Sequence, residues 1–172
     1  MSHRTPTGPL AYMQRMRNYY LALGYANSYE WAHNPTVPFQ TPNKAVSHSR
    51  VALVTTAAPF KEGAGDQGPG APYNAKAKFY QVYGADAAKD EFLGISHVSY
   101  DRGHTSAKDI GSYFPLRALR VAQDQGQIGS LAPRYYGLPT NRSQATTVHQ
   151  DCVGLLAMLQ EDEVDLAILV AN

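Results

Sequence analysis

A chain of 172 residues, 44% hydrophobic and 17% charged, suits one folded domain with a respectable core. Fifteen Lys and Arg against 14 Asp and Glu create no basic field for nucleic acid or an anionic membrane. A single cysteine, Cys152, excludes an internal disulfide framework and a multi-cysteine metal site, and no apolar run reaches the roughly 18 residues of a bilayer span, so a reducing, cytoplasmic location is expected.

Residues 1–9 are polar, hold two prolines and read as a loose tail of a single domain spanning 1–172. From Leu10, the residues Met13, Met16, Tyr20 and Leu21 recur at helical spacing, and Gly24 is placed to stop that helix. Three prolines between Asn34 and Pro42 remove backbone donors and fix φ, which makes this stretch an extended connector. The aliphatic and β-branched run from Arg50 to Thr56 lacks strict alternation, as in a strand covered by helices on both faces. It leads to a glycine-rich stretch, Lys61 to Ala71, read as a long flexible loop, either functional or disordered. Neither a P-loop nor a G-x-G-x-x-G pattern follows the strand, so a nucleotide site is weakly supported.

Two further runs, Phe79–Tyr83 and Phe92–Val98, carry the aromatic and branched residues of strands. The second enters the densest polar cluster, Ser96-His97-Val98-Ser99-Tyr100-Asp101-Arg102-Gly103-His104. Imidazole titrates near neutrality and a carboxylate can fix its tautomer, so His97 with Asp101 suits proton transfer. The same residues also read as an ordinary turn beside a histidine that satisfies buried backbone.

Pro115 opens a short helix that Gly126 closes. The segment Gln127 to Gly137 reads as irregular. In it Arg134, flanked by tyrosines, either clamps a carboxylate or phosphate with its guanidinium fork or stacks as a packing device. A last helix is predicted over Thr146 to Glu161, with Val148, Cys152, Leu155, Leu156 and Leu159 on its buried stripe. Cys152 there is a small core residue rather than a nucleophile, and His149 lies off the stripe.

Val164 opens a final aliphatic strand. Alternating strands and helices predict an α/β fold: a three-layer, mostly parallel central sheet flanked by helices, Rossmann-like in plan. Ligands of such folds sit beyond the carboxyl ends of the strands. The sequence stops directly after its last strand, so an incomplete catalytic unit, lacking its C-terminal part, is the expectation.

The order Ile95-Ser96-His97-x-x-Tyr100-Asp101, then Asp109-Ile110, Phe114-Pro115-Leu116-x-x-Leu119, and Gly126-x-Ile128-Gly129-x-Leu131-Ala132-Pro133-Arg134-x-Tyr136 resembles the selenoprotein B family. That family comprises component B of glycine, sarcosine and betaine reductase and the related subunit of D-proline reductase. The likeness is densest over Ile95 to Tyr136 and departs at Tyr135, where the family commonly has histidine.

The resemblance implies reductive cleavage of a carbon–nitrogen bond in an amino acid or amine, with a selenocysteine or cysteine as nucleophile and dithiols as electron source. It implies His97 and Asp101 as catalytic residues, and Tyr100, Arg134 and Tyr136 as substrate-binding residues, Arg134 on a carboxylate. No metal and no cofactor within this chain are implied. The redox centre is expected just past residue 172, through a misread selenocysteine codon, a processing site or a separate polypeptide. Other reductase subunits or a C-terminal continuation would be the partners, in an oligomer. The competing expectation is a non-catalytic α/β partner or binding subunit that docks a second, thiol-bearing chain along the edge near Val164 to Val170.

Overall fold

The computed structural model describes residues 11–28, 30–59, 81–89, 93–95, 109–139 and 143–171. The expected tail over 1–9 and the glycine-rich stretch 61–71 lie outside them.

At the centre is β1 (Arg50–Thr55), buried at every position after Arg50. On one side it runs parallel to β7 (Leu166–Val170), from Val51 opposite Leu166 to Thr55 opposite Val170. On the other side it pairs in parallel with β5 (Ser130–Leu131) at its start and β6 (Arg134–Gly137) at its end. The sheet is mixed, because β3 (Tyr83–Asp86) runs antiparallel to β6. Beyond β1, the short β2 (Ala58–Pro59) pairs antiparallel with β4 (Leu93–Gly94); of the run expected as a strand over Phe92–Val98, only 93–95 are among the described residues, and Leu93 and Gly94 of these are paired.

Successive strand residues face opposite sides, and this alternation divides the core in two. Leu53, Tyr135 and Leu131 pack with Leu116 and Leu119 of α2 (Leu116–Asp124) and with Leu93, Ile95, Tyr113 and Phe114. Ala52, Val54, Ala132 and Tyr136 pack instead with Leu155, Met158 and Leu159 of the C-terminal helix. Helices thus cover both faces of an open α/β sheet.

The ends of the helices follow local chemistry. The first, α1 (Tyr12–Ala22), gives way at Leu23 and Gly24, as expected, but buries only Tyr20 of its apolar residues. Beyond α2, Gly126 takes a φ of +68°, its N–H bonds Gln123 O at 2.9 Å and the Gln127 N–H bonds Ala122 O at 2.8 Å. These two bonds form a Schellman motif, which favours glycine at the left-handed position.

The C-terminal helix departs from its prediction. It opens with α3 (Gln144–Thr146), capped by Ser143 Oγ accepting from Thr146 N–H at 3.2 Å, continues as a π-helical turn over Thr147–Asp151, and becomes α4 (Cys152–Glu161). The wider π turn rotates the earlier residues off the expected stripe. Val148 is exposed, as are Cys152 and Leu156, while Asp151 is buried in line with Leu155. The expectation of Cys152 as a core thiol is therefore corrected. Among the described residues no helix is long and apolar enough to cross a membrane.

Candidate functional site

The two edges of the sheet carry different chemistry. At the amino edge, Arg134 opens β6 and Asp162 caps the end of α4. Arg134 Nε donates to Asp162 Oδ2 at 2.7 Å, and its NH2 donates to Asp162 Oδ1 at 2.9 Å and Glu161 Oε2 at 2.7 Å. The guanidinium carbon lies 6.0 Å from the Tyr136 ring centroid, and the Tyr136 hydroxyl donates to Asp162 Oδ2. The fork geometry and the tyrosine contact expected of Arg134 are thus both present, with carboxylates of its own chain as the partners.

Electrostatics follow from these contacts. The Arg134 hydrogen bond holds the Asp162 carboxyl below its ordinary value against the opposing effect of burial, and Tyr136 adds to the lowering. Burial pushes the Tyr136 phenol well above its ordinary value, reinforced by its bond to Asp162. Arg50 extends the cluster: its NH1 donates to Asp162 O at 2.7 Å and to Glu163 Oε2 at 3.1 Å, while its backbone N–H donates to Asp165 Oδ2 at 2.9 Å. An adjoining cleft of about 540 Å³ is lined by Lys44, His48, Arg50, Glu163 and Asp165. Lys44 pairs with Asp165 at 2.8 Å there, so its cations and carboxylates are mutually satisfied.

The carboxyl edge is where an α/β sheet offers a ligand site. Thr55 ends β1 fully buried; its Oγ1 donates to Tyr113 O at 3.4 Å and accepts from Ala57 N–H at 3.1 Å. The Tyr113 hydroxyl in turn donates to Leu93 O at 3.2 Å. This chain of bonds, with the pairing of β2 and β4, ties Leu93–Ile95 to the end of β1. His97, Tyr100 and Asp101 follow in sequence and lie outside the described residues. Among the described residues, no three His, Cys, Asp or Glu side chains form a group that could hold a metal ion.

Sequence reasoning missed Asp162, Arg50 and Asp151. Asp162 read only as part of an acidic helix end, and nothing in its spacing marks it as the partner of a residue 28 positions earlier. The burial of Asp151 depends on the π turn, which no periodicity announces.

The family model for glycine/sarcosine/betaine reductase selenoprotein B (GRDB) matches residues 22–172. The chain belongs to this selenoprotein B family. The match includes every strand of the sheet and the whole polar cluster after Ile95, in agreement with the resemblance carried by Ile95 to Tyr136. No curated protein and no solved structure is significantly similar to the chain.

Proposed function

We propose that the chain is a subunit or fragment of a selenoprotein B-like reductase that cleaves a C–N bond of an amino acid or amine, of the glycine, betaine or D-proline reductase type. The family match over residues 22–172 carries this reading. In such a reaction a selenolate or thiolate attacks the carbon bearing nitrogen, a carbon–selenium or carbon–sulfur bond forms, and the amine leaves with the electron pair. A neighbouring thiolate then attacks the selenium or sulfur of the adduct, the bond to carbon breaks with its electron pair on carbon, which takes up a proton, and a dithiol reduces the resulting selenosulfide or disulfide.

The sequence holds one cysteine and no selenocysteine, and Cys152 stands upstream of the last strand rather than after it. We therefore place the reactive selenium or sulfur beyond residue 172. The chain supplies the pocket wall: His97 with Asp101 for proton transfer, Tyr100 beside the substrate. The tether of Ile95 to the end of β1 supports this assignment, because it brings the polypeptide to the carboxyl edge two residues before His97. Arg134 and Tyr136, expected to hold the substrate carboxylate, stand at the amino edge with Asp162 in the guanidinium fork, away from this pocket, so in this reading they tie β6 to α4. The reaction belongs in the cytoplasm, where thiols stay reduced, within an oligomer of reductase subunits.

The test is His97→Ala in the chain completed by its selenocysteine- or cysteine-bearing portion. Turnover falls to background while the circular dichroism spectrum is unchanged; retained turnover would remove His97 from the mechanism. A second reading, a non-catalytic subunit that docks a thiol-bearing chain, draws on the exposure of Ile168 (41%) and Leu169 (68%) on β7. It predicts tight association with such a chain and no effect of His97→Ala on turnover.

A further inference from the structure

Two neighbouring surfaces are more apolar than their exposure to water explains. The strand β7 reads Leu-Ala-Ile-Leu-Val and, among the described residues, no strand pairs with the side turned away from β1. It carries none of the features that keep an open strand edge from pairing: no lysine, proline, glycine or bulge. On α4 no charged residue occurs from Cys152 to Gln160, yet Val153 is 61% and Leu156 54% exposed. A helix apolar on every side is one that other protein surrounds.

The two surfaces form one corner. In the parallel register Ala167 and Leu169 stand opposite Ala52 and Val54, so they share the sheet face that α4 covers. Leu155 and Leu159 point α4 at that face, and Glu161 on one flank reaches Arg134 of β6. Cys152 and Leu156, on the opposite flank, therefore lie toward β7. The strip from the edge of β7 to this flank is roughly 17 Å long and 15 Å wide, a few hundred Å² in all. Apolar patches of that size mark contact sites on soluble proteins.

The backbone of the edge fixes how it can be covered. Thr56 N–H bonds Val170 O, so Leu166, Ile168 and Val170 turn their amides toward β1, whereas Ala167 and Leu169 turn theirs outward. A second β7 laid antiparallel, with Ile168 opposite Ile168, pairs every outward N–H and carbonyl of both copies. Leu169 then faces Ala167 on the α4 side, and Leu166 faces Val170 on the other. Asp165 falls opposite Ala171, so no two like charges meet.

We infer that the free edge of β7 and the exposed flank of α4 are the interface of a two-fold dimer of this chain, one sheet continuing into the other. Self-complementarity selects a second copy as the occupant: the strip is uncharged, its pairing centres on Ile168, and a two-fold axis joins like patches. The inference goes beyond the proposed function and holds whichever reaction the chain serves. A few hundred Å² per copy is less than the roughly 800 Å² per partner of a standard interface, so the dimer dissociates in the micromolar range.

The test is sedimentation velocity of the full chain from micromolar to several hundred micromolar, with disulfide cross-linking in a Cys152→Ser background. A concentration-dependent dimer is expected. Leu169→Lys raises its dissociation constant about tenfold or more and leaves the thermal midpoint of the dilute chain within a few degrees of wild type. Ile168→Cys cross-links on oxidation, because facing residues of a non-hydrogen-bonded pair have Cα atoms about 4.5 Å apart. Ala167→Cys does not, its two copies lying about 8 Å apart across the joint. A dimer that Leu169→Lys leaves intact, or cross-linking through Ala167 as efficient as through Ile168, overturns the inference. So does a monomer at every concentration; amide exchange at Ala167 and Leu169 slowed only by the selenocysteine- or cysteine-bearing portion would then assign the face to that portion.

Discussion

Arg134 closes its guanidinium fork on Asp162, Nε to Oδ2 at 2.7 Å and NH2 to Oδ1 at 2.9 Å, and so ties the start of β6 to the end of α4. The Asp162 side chain is only 10% exposed, so removing the fork leaves a carboxylate with little water to replace it. Arg134→Ala should lower unfolding free energy by about 2 kcal/mol, measured by urea denaturation. Arg134→Lys should recover less than half of that, since an ammonium cannot match both oxygens. In the completed reductase the same variant separates the two roles of Arg134: a raised KM marks a substrate carboxylate, whereas an unchanged KM with reduced stability assigns Arg134 to the helix–strand tie alone.

The same cluster gives stability a defined pH window. Asp162 has a lowered folded pKa, so its contribution is complete above the unfolded carboxyl value of about 4 and is lost as pH falls through the folded value. Tyr136 has a raised folded pKa, so its contribution is complete below the unfolded phenol value of about 10 and is lost as pH rises beyond it. Urea midpoints should therefore form a plateau between these limits. Tyr136→Phe should flatten part of the alkaline decline; an identical decline in that variant would contradict the assignment.

Glu163 follows α4 with a φ of +51°, a left-handed position in a Schellman motif closed by Val164 N–H to Leu159 O at 2.9 Å. A non-glycine residue there costs about 1 kcal/mol. Its compensation is an ion pair with Arg50 at 3.1 Å, on a carboxylate 81% exposed, worth a few tenths of a kcal/mol at most. Strain outweighs the pair, and Glu163→Gly should raise the thermal midpoint by a few degrees. A fall in the midpoint would show that the Arg50 pair dominates.

Gly129 packs against backbone: a Cβ at this position would stand 2.6 Å from the carbonyl carbon of His48 and 2.9 Å from Ser49 N. Neither can move without disturbing the bonds from Gly129 N–H to Val46 O and Ser49 O that lead into β5. Gly129→Ala should destabilise by about 2 kcal/mol. An unchanged urea midpoint would mean that the approach of this turn to β1 is looser than described.

Legibility in the sequence tracked how local the determinants were. The aliphatic run of β1, the ends of α1 and α2 at Gly24 and Gly126, and the last strand could be read because composition and punctuation act within a few residues. Arg134 to Gly137 read as irregular, lying between Pro133 and a glycine with no aliphatic residue; pairing with β1 and β3 makes it a strand, and that pairing is long-range. Val148 was placed on the core stripe by strict helical spacing, which the π turn breaks, while Cys152 stands inside α4 on the exposed flank it shares with Leu156. At the site, the fork of Arg134 was anticipated but its partner was not, because Asp162 is brought to it only by the fold. His97, Tyr100 and Asp101 remain readings of the sequence, beyond the described residues.

The central claim is that the chain is the pocket wall of a reductase whose reactive atom lies outside these residues. Its most direct test is amine release from glycine, sarcosine, betaine or D-proline with excess dithiol, by the purified chain alone and joined to its selenocysteine- or cysteine-bearing portion. Release only from the joined form is predicted. Turnover by the chain alone would contradict the claim.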